Sequence, residues 1–146
     1  MRLRSLAREY TLQLLYQIEI GGYSPEESAD DFFANHCPEL PKQVRQFVMF
    51  IANGVREHRE ELDGLIAKYA RNWDVTRMAV VDRNIMRMGI YEILFVVDIP
   101  PKVSINEAVE LAKKFGDVES AKFVNGILDG VFRNESAARK TLTSPA

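Results

Sequence analysis

Apolar residues recur along this chain at three- and four-residue steps, the period of an amphipathic helix, and nowhere in the strict alternation of a half-buried strand. Leu3, Leu6, Ala7, Tyr10, Leu14 and Ile18 form one such stripe and predict a first helix over about 3–20. Gly21-Gly22 ends it. Ser24-Pro25-Glu26-Glu27 starts the next, with Ser24 as N-cap, Pro25 at the first helical position and Glu27 closing a capping box. Phe32 and Phe33 are its packing residues, and the two prolines Pro38 and Pro41 make Asn35 to Pro41 a loop. From near Lys42 to about Arg71 the row Val44, Phe47, Val48, Ile51, Val55, His58, Leu62, Ile66 and Tyr69 predicts one long helix. Gly54 and Gly64 each weaken it by roughly 1 kcal/mol relative to alanine, so they mark close helix contacts or a break.

Asp74 is the expected N-cap of a helix running to about Val97. Apolar residues occupy almost its whole circumference, from Met78 through Ile85, Ile90 and Tyr91 to Phe95, so it is expected to be central and buried. Arg87 and Glu92 within it need partners from other elements; Asp82 and Arg83 lie near its start, where exposure is easier. Asp98-Ile99-Pro100-Pro101 ends it. Ser104 and Glu107 then read as a capping box, Val109, Leu111, Ala112 and Phe115 as an apolar face, and Gly116 as a left-handed C-terminal cap. A last helix begins near Glu119 or Ser120, with Phe123, Ile127 and Val131 at four-residue steps. The expectation is an all-α protein of six or seven helices, one domain over 1–133, and a frayed tail over 134–146, where periodicity is lost.

Length, composition and charge narrow the picture. At 146 residues, 47% hydrophobic and 27% charged, the chain has the balance of a globular domain with a real core. No apolar run approaches the roughly 20 residues that span a bilayer, and Glu9, Gln13 and Gln17 interrupt the first apolar stretch, so no signal peptide is expected. The single cysteine, Cys37, excludes an intrachain disulfide and suits a reducing cytoplasm. His36 beside it suggests metal, but with only His58 besides, a closed zinc site cannot be assembled. No phosphate-cradling glycine loop, nucleophile elbow or H-E-x-x-H motif is present, and neither an enzyme nor a cofactor is expected.

The net charge of -2 does not advertise a nucleic-acid binder, but the distribution matters more. Arg2, Arg4 and Arg8 fall in a first octet that contains no acid. Arg4 and Arg8 share one side of a helix and oppose its dipole, a local cost unless an anion sits there. Near the other end, Lys122-Phe123-Val124-Asn125 sets a cation, an aromatic ring and an amide within one turn. Tyr16, off the main stripe, is a candidate stacking residue.

Several blocks together resemble one family. They are Ala7-Arg8 and Leu15-Tyr16 after the arginine-rich start; Asp82-Arg83 with Arg87-Met88-Gly89-Ile90-Tyr91-Glu92; Ser104-Ile105-Asn106-Glu107-Ala108-Val109-Glu110-Leu111-Ala112-Lys113; and Lys122-Phe123-Val124-Asn125-Gly126-Ile127-Leu128. In that order they are similar to NusB, the bacterial transcription antitermination factors. The resemblance implies two packed helical subbundles and binding to single-stranded boxA RNA of ribosomal RNA leaders. It implies that this occurs with NusE, a small-subunit ribosomal protein, within the RNA polymerase antitermination complex. Carried over by residue, it implies phosphate contacts from Arg2, Arg4 and Arg8, a base stacked on Phe123 with Lys122, Ser120 and Asn125 as polar neighbours, and Tyr16 on the same surface. Asp82 and Met86 are implied to face NusE. Leu3 and Leu6 stand where family members carry further basic residues, which points to an adaptor that needs its protein partner. One stacked base is worth about 1–3 kcal/mol, and three phosphate contacts give a salt slope of roughly -2. Two alternatives remain: a helical scaffold or homodimer that binds no RNA, and the NusB-like domain fused to RNA cytosine methyltransferases, against which the lack of a catalytic domain argues.

Overall fold

The computed structural model describes residues 3–22, 24–35, 39–71, 74–135 and 140–145. Among them are seven α-helices: α1 (Leu3–Gly21), α2 (Pro25–Asn35), α3 (Lys42–Glu57), α4 (Arg59–Tyr69), α5 (Val80–Phe95), α6 (Pro101–Phe115) and α7 (Ser120–Glu135), with a 3-10 turn at Val75–Arg77 before α5. α1, α2 and α3 pack on one another as one subbundle, and α4, α6 and α7 gather with α5 as the second. α5 also touches α1 and α3, so it is the shared axis of both. Its side chains are buried continuously from Arg83 to Phe95, as its all-round apolar sequence demands. No described helix is long and apolar enough to cross a membrane.

Local chemistry sets the start of α2. The predicted box at α2 forms: Glu27 N–H donates to Ser24 Oγ at 3.1 Å and Ser24 N–H to Glu27 Oε1 at 2.9 Å. Gly22 ends α1 at a φ of +76°, open to glycine without strain. Other boundaries differ from the sequence pattern. The long helix over 42–71 is broken at His58, which leaves helical geometry and lies 4.3 Å, ring to ring, against Phe95. One turn earlier Gly54 is pressed on Tyr91 so closely that any Cβ would overlap the ring. The chain bends to wrap these two aromatics of α5.

α5 begins at Val80 after Ala79 rather than at Asp74, because the 3-10 turn intervenes. α6 begins at Pro101, three residues before the expected cap. Ser104 and Glu107 therefore sit inside it and do no capping. Gly116 has φ −95° and ψ −165°, extended rather than left-handed. Arg83 is buried rather than exposed. His36, Cys37 and Trp73 lie outside the described residues.

Polar side chains inside the bundle are held in two networks. Glu92 of α5, only 2% exposed, accepts from Arg8 Nε at 2.8 Å and Nη2 at 2.9 Å, and from Ser104 Oγ at 2.8 Å. Arg8 Nη1 continues to Glu107 at 3.0 Å, and Ser5 Oγ to the same oxygen at 2.6 Å. On the far side Arg87 grips Asp63 of α4 through Nε and Nη2 at 2.6 and 2.9 Å and reaches Glu19 of α1 at 3.0 Å. Arg83 pairs with Glu19 as well. Arg87 and Glu92 thus find partners on other elements, as their burial requires. Burial opposes the Glu19 charge, but Arg83 and then Arg87 outweigh it and hold that carboxyl below its ordinary range.

The tail is not frayed throughout. α7 runs on to Glu135, whose carboxylate takes bonds from Lys68 and Tyr69 of α4 at 2.6 Å each. Residues 140–145 are tied back onto the end of α5, with Leu142 bridged in parallel to Val96.

Removing one partner of a buried pair leaves an uncompensated charge, at about 3–5 kcal/mol. Arg8→Met is therefore expected to lose that much stability in urea unfolding, whereas Arg8→Met/Glu92→Leu recovers most of it, because the buried Glu92 carboxylate is gone and Glu107, partly exposed, keeps its bond from Ser5. A double variant no more stable than the single one would contradict this account.

Candidate nucleic-acid interface

Phe123 lies in the first turn of α7, where the chain has just turned from α6. That turn is fixed by Asp117, whose Oδ1 accepts from the backbone N–H groups of Glu119 and Ser120 at 2.9 and 3.1 Å. Ser120 Oγ accepts from Asp117 N–H at 3.1 Å in return. This reciprocal cap was not read from the sequence, although Asp117 three residues before Ser120 has the spacing for it. It gives buried Ser120 a structural occupation instead of a place on the surface.

Lys122 is exposed and Phe123 half-buried. With Arg77, Met78, Ser120 and the carboxylates Asp82, Asp117 and Glu119 they line an open cavity of about 510 Å³ at the junction of the 3-10 turn, α5 and α7. The aromatic wall suits a planar ligand such as a base, and the exposed Lys122 beside it is the cation placed for a backbone phosphate at the acidic cavity's rim. Asn125 is exposed three residues after Lys122, hence on the same side of α7. Next to it Gly126 is exposed with open space where a Cβ would stand. No packing among the described residues calls for glycine there.

Asp82 sits on the same cavity in the first turn of α5. Its Oδ1 is shut from solvent without a hydrogen bond, and burial raises its pKa against the opposing bond from Ser120. Met86, one turn on, is 0% exposed and belongs to the core. As a surface for a protein partner it is ruled out by position, because no part of it reaches solvent.

The arginines line other cavities. Arg4 borders one of about 200 Å³ with Phe47 and Pro145, and one of about 710 Å³ with Arg8, Asp98 and Glu107. Its guanidinium lies 4.9 Å from the Phe47 ring centre, Arg8 at 5.3 Å. Arg4 is partly exposed, while Arg8 is 4% exposed and spends all three guanidinium nitrogens on Glu92 and Glu107. Burial would lower its pKa, but the two carboxylates more than offset this and raise it. The anions that Arg8 was expected to await are therefore the protein's own, and in this structure Arg8 is an internal cation. Its missed partners, Glu92 and Glu107, are 84 and 99 residues away, beyond any local pattern. Tyr16 is exposed at 47%. Arg2 lies outside the described residues.

Comparisons with known proteins agree with the architecture. The NusB family model matches residues 5–133. A transcription antitermination protein NusB of Desulforapulum autotrophicum is 45% identical over 128 residues, covering 88% of this chain and 90% of that protein. Among solved structures, T. maritima NusB superposes with a TM-score of 0.83 at 34% identity, over 91% of this chain and 92% of that one. A chain from a crystal structure of the antitermination factors NusB and NusE in complex with dsRNA superposes at 0.79 with 26% identity, over 91% and 98%. The chain belongs to the NusB family.

Proposed function

We propose that this chain is a transcription antitermination adaptor that binds boxA-type single-stranded RNA of ribosomal RNA leaders together with NusE, and acts by binding alone. The observation that carries this reading is the Lys122-Phe123 cavity at the start of α7, with Asn125 exposed beside it. Sequence-specific recognition of RNA favours unpaired bases that stack on aromatics and meet polar groups at their edges. Family membership and the solved assembly of NusB and NusE with dsRNA support NusE and RNA as the partner classes. Phe123 takes a base, Lys122 a phosphate and Asn125 a base edge. Arg4 is the phosphate contact of α1, with Arg2 beside it in sequence and Tyr16 as a further stacking ring. With Arg8 internal, Arg4 and Lys122 give a salt slope of about -1.4, at about -0.7 per contact.

Asp82 is assigned to NusE. A carboxylate oxygen buried without a donor destabilises the free protein and rewards a partner that brings one.

Anisotropy with a labelled boxA-like oligoribonucleotide, with and without NusE, tests the reading. Phe123→Ala is expected to weaken RNA binding by about 1–3 kcal/mol. Because the ring is half-buried, its stability loss stays below the about 3–5 kcal/mol of a fully buried phenylalanine. Unchanged affinity in the folded variant would remove Phe123 from the site.

Gly126→Ala separates fold from function. It should stabilise α7 by up to about 1 kcal/mol, and weaken RNA binding if the bare helix surface there lets the RNA backbone approach. Asp82→Asn should raise the melting temperature at pH 7 and weaken NusE binding. The folded-state pKa of Asp82 is raised, so the ionised side chain destabilises the fold above that pKa. The gain should shrink as pH falls and vanish below the ordinary value of 3.8, where Asp82 is protonated in both states.

A further inference from the structure

Residues 140–145 are fastened to the rest of the protein at alternate positions. Lys140 Nζ donates to the backbone oxygens of Val96 and Ile99 at 2.9 Å each, in the turn that follows α5. Leu142 N–H donates to Phe95 O at 2.7 Å, and Leu142 O accepts from Val97 N–H at 2.6 Å. Ser144 N–H donates to Asp98 Oδ1 at 2.8 Å and its hydroxyl to Oδ2. That hydroxyl also accepts from Arg4 Nη2 at 2.7 Å, and the Pro145 carbonyl from the same nitrogen at 3.2 Å. Asp98 adds its charge 3.8 Å from Arg4 Nη1.

Nη2 of Arg4 is thus engaged by residues 144 and 145 of the same chain, and Nη1 faces Asp98, to which that segment is tied. We propose that residues 140–145 form an autoinhibitory strap, which occupies Arg4 in the free protein and is displaced when an RNA phosphate takes its place. The inference rests on the RNA-binding reading above.

The strap is built for exchange. Its polar holds are hydrogen bonds that water or a ligand can replace, and Leu142, its largest apolar side chain, is not fully buried but 38% exposed. Lys140 gives up part of its hydration to reach the carbonyls, and that desolvation lowers its pKa despite Glu92 and Asp98. Arg4 meets a neutral hydroxyl and a neutral carbonyl at hydrogen-bond distance, whereas a phosphate offers it two charged acceptors in the plane of the guanidinium.

Lys140→Ala/Leu142→Pro in the full chain removes the ammonium anchor and the Leu142 N–H. Its affinity for a labelled single-stranded boxA-like oligoribonucleotide is compared with the parent, each with and without Arg4→Ala. The released protein should bind about five- to tenfold tighter, the shift expected if Arg4 is free in about a fifth to a tenth of parent molecules. The salt slope should stay the same, since the complex formed is the same, and Arg4→Ala should erase the gain. Hydrogen exchange on the unaltered protein gives an independent reading: saturating RNA should speed exchange at the Leu142 and Ser144 amides. Equal affinity of released and parent protein, a gain that survives Arg4→Ala, or undiminished protection of those amides in the complex would each overturn the strap. If no form binds RNA and Phe123→Ala changes nothing, the RNA-binding reading fails and takes the strap with it.

Discussion

The structure turns on the need to neutralise charge inside α5. A helix buried on all sides excludes water, yet this one carries Glu92, Arg87 and Arg83 in its interior. Each charge is tolerable only because another helix delivers its counter-ion with hydrogen-bond geometry. Arg8 and Ser104 serve Glu92, Asp63 and Glu19 serve Arg87, and Glu19 serves Arg83. These pairs fix which face of α1, α4 and α6 meets α5, and apolar packing fills the space between. Swapping two apolar stripes would leave a compact bundle with stranded charges, so the ion pairs select one register where hydrophobic contact alone would tolerate several.

That constraint separates the two ends of α1. Its inward arginine is absorbed by the core, while Arg4, one turn earlier, stays near the surface. Two residues of the same type four apart thus have different surroundings: one is fixed by buried carboxylates of α5 and α6, and the other meets residues 144 and 145 at the surface. At α7 the division runs between neighbours instead. Val124, Ile127 and Leu128 hold the helix in place, and Lys122 and Asn125 point outward with Phe123 on the boundary.

The elements were readable from apolar period because each helix except α5 has one wet face. The location of α5 at the centre was readable from its lack of such a face. What the pattern misplaced was the ends. The Ser104 and Glu107 spacing matches a capping box, but Pro101 starts α6 three residues sooner, and both side chains serve partners on α1 and α5. The apolar row through His58 looked continuous because stacking on Phe95 uses the same face as helical packing would. At the candidate site, Lys122, Phe123 and Asn125 were legible from residue type within a single turn. Arg8 was not, since nothing local distinguishes an arginine that meets RNA from one that meets a glutamate 84 residues on. The hold of residues 140–145 on the end of α5 left no periodic trace for a similar reason: it is made by backbone atoms, the Lys140 ammonium and the Ser144 hydroxyl.

The span of the Arg8–Glu92 pair also bears on synthesis. α1 leaves the ribosome long before α5, and its buried cation then has no counter-ion. The subbundle of α1, α2 and α3 therefore cannot complete its interior as an early, independent unit, and its surface toward α5 stays open until Glu92 arrives. Closing a loop of that length is slow compared with forming the helices themselves. The nascent chain should accordingly accumulate helix first and gain its fixed tertiary packing in one late step, with the two subbundles appearing together.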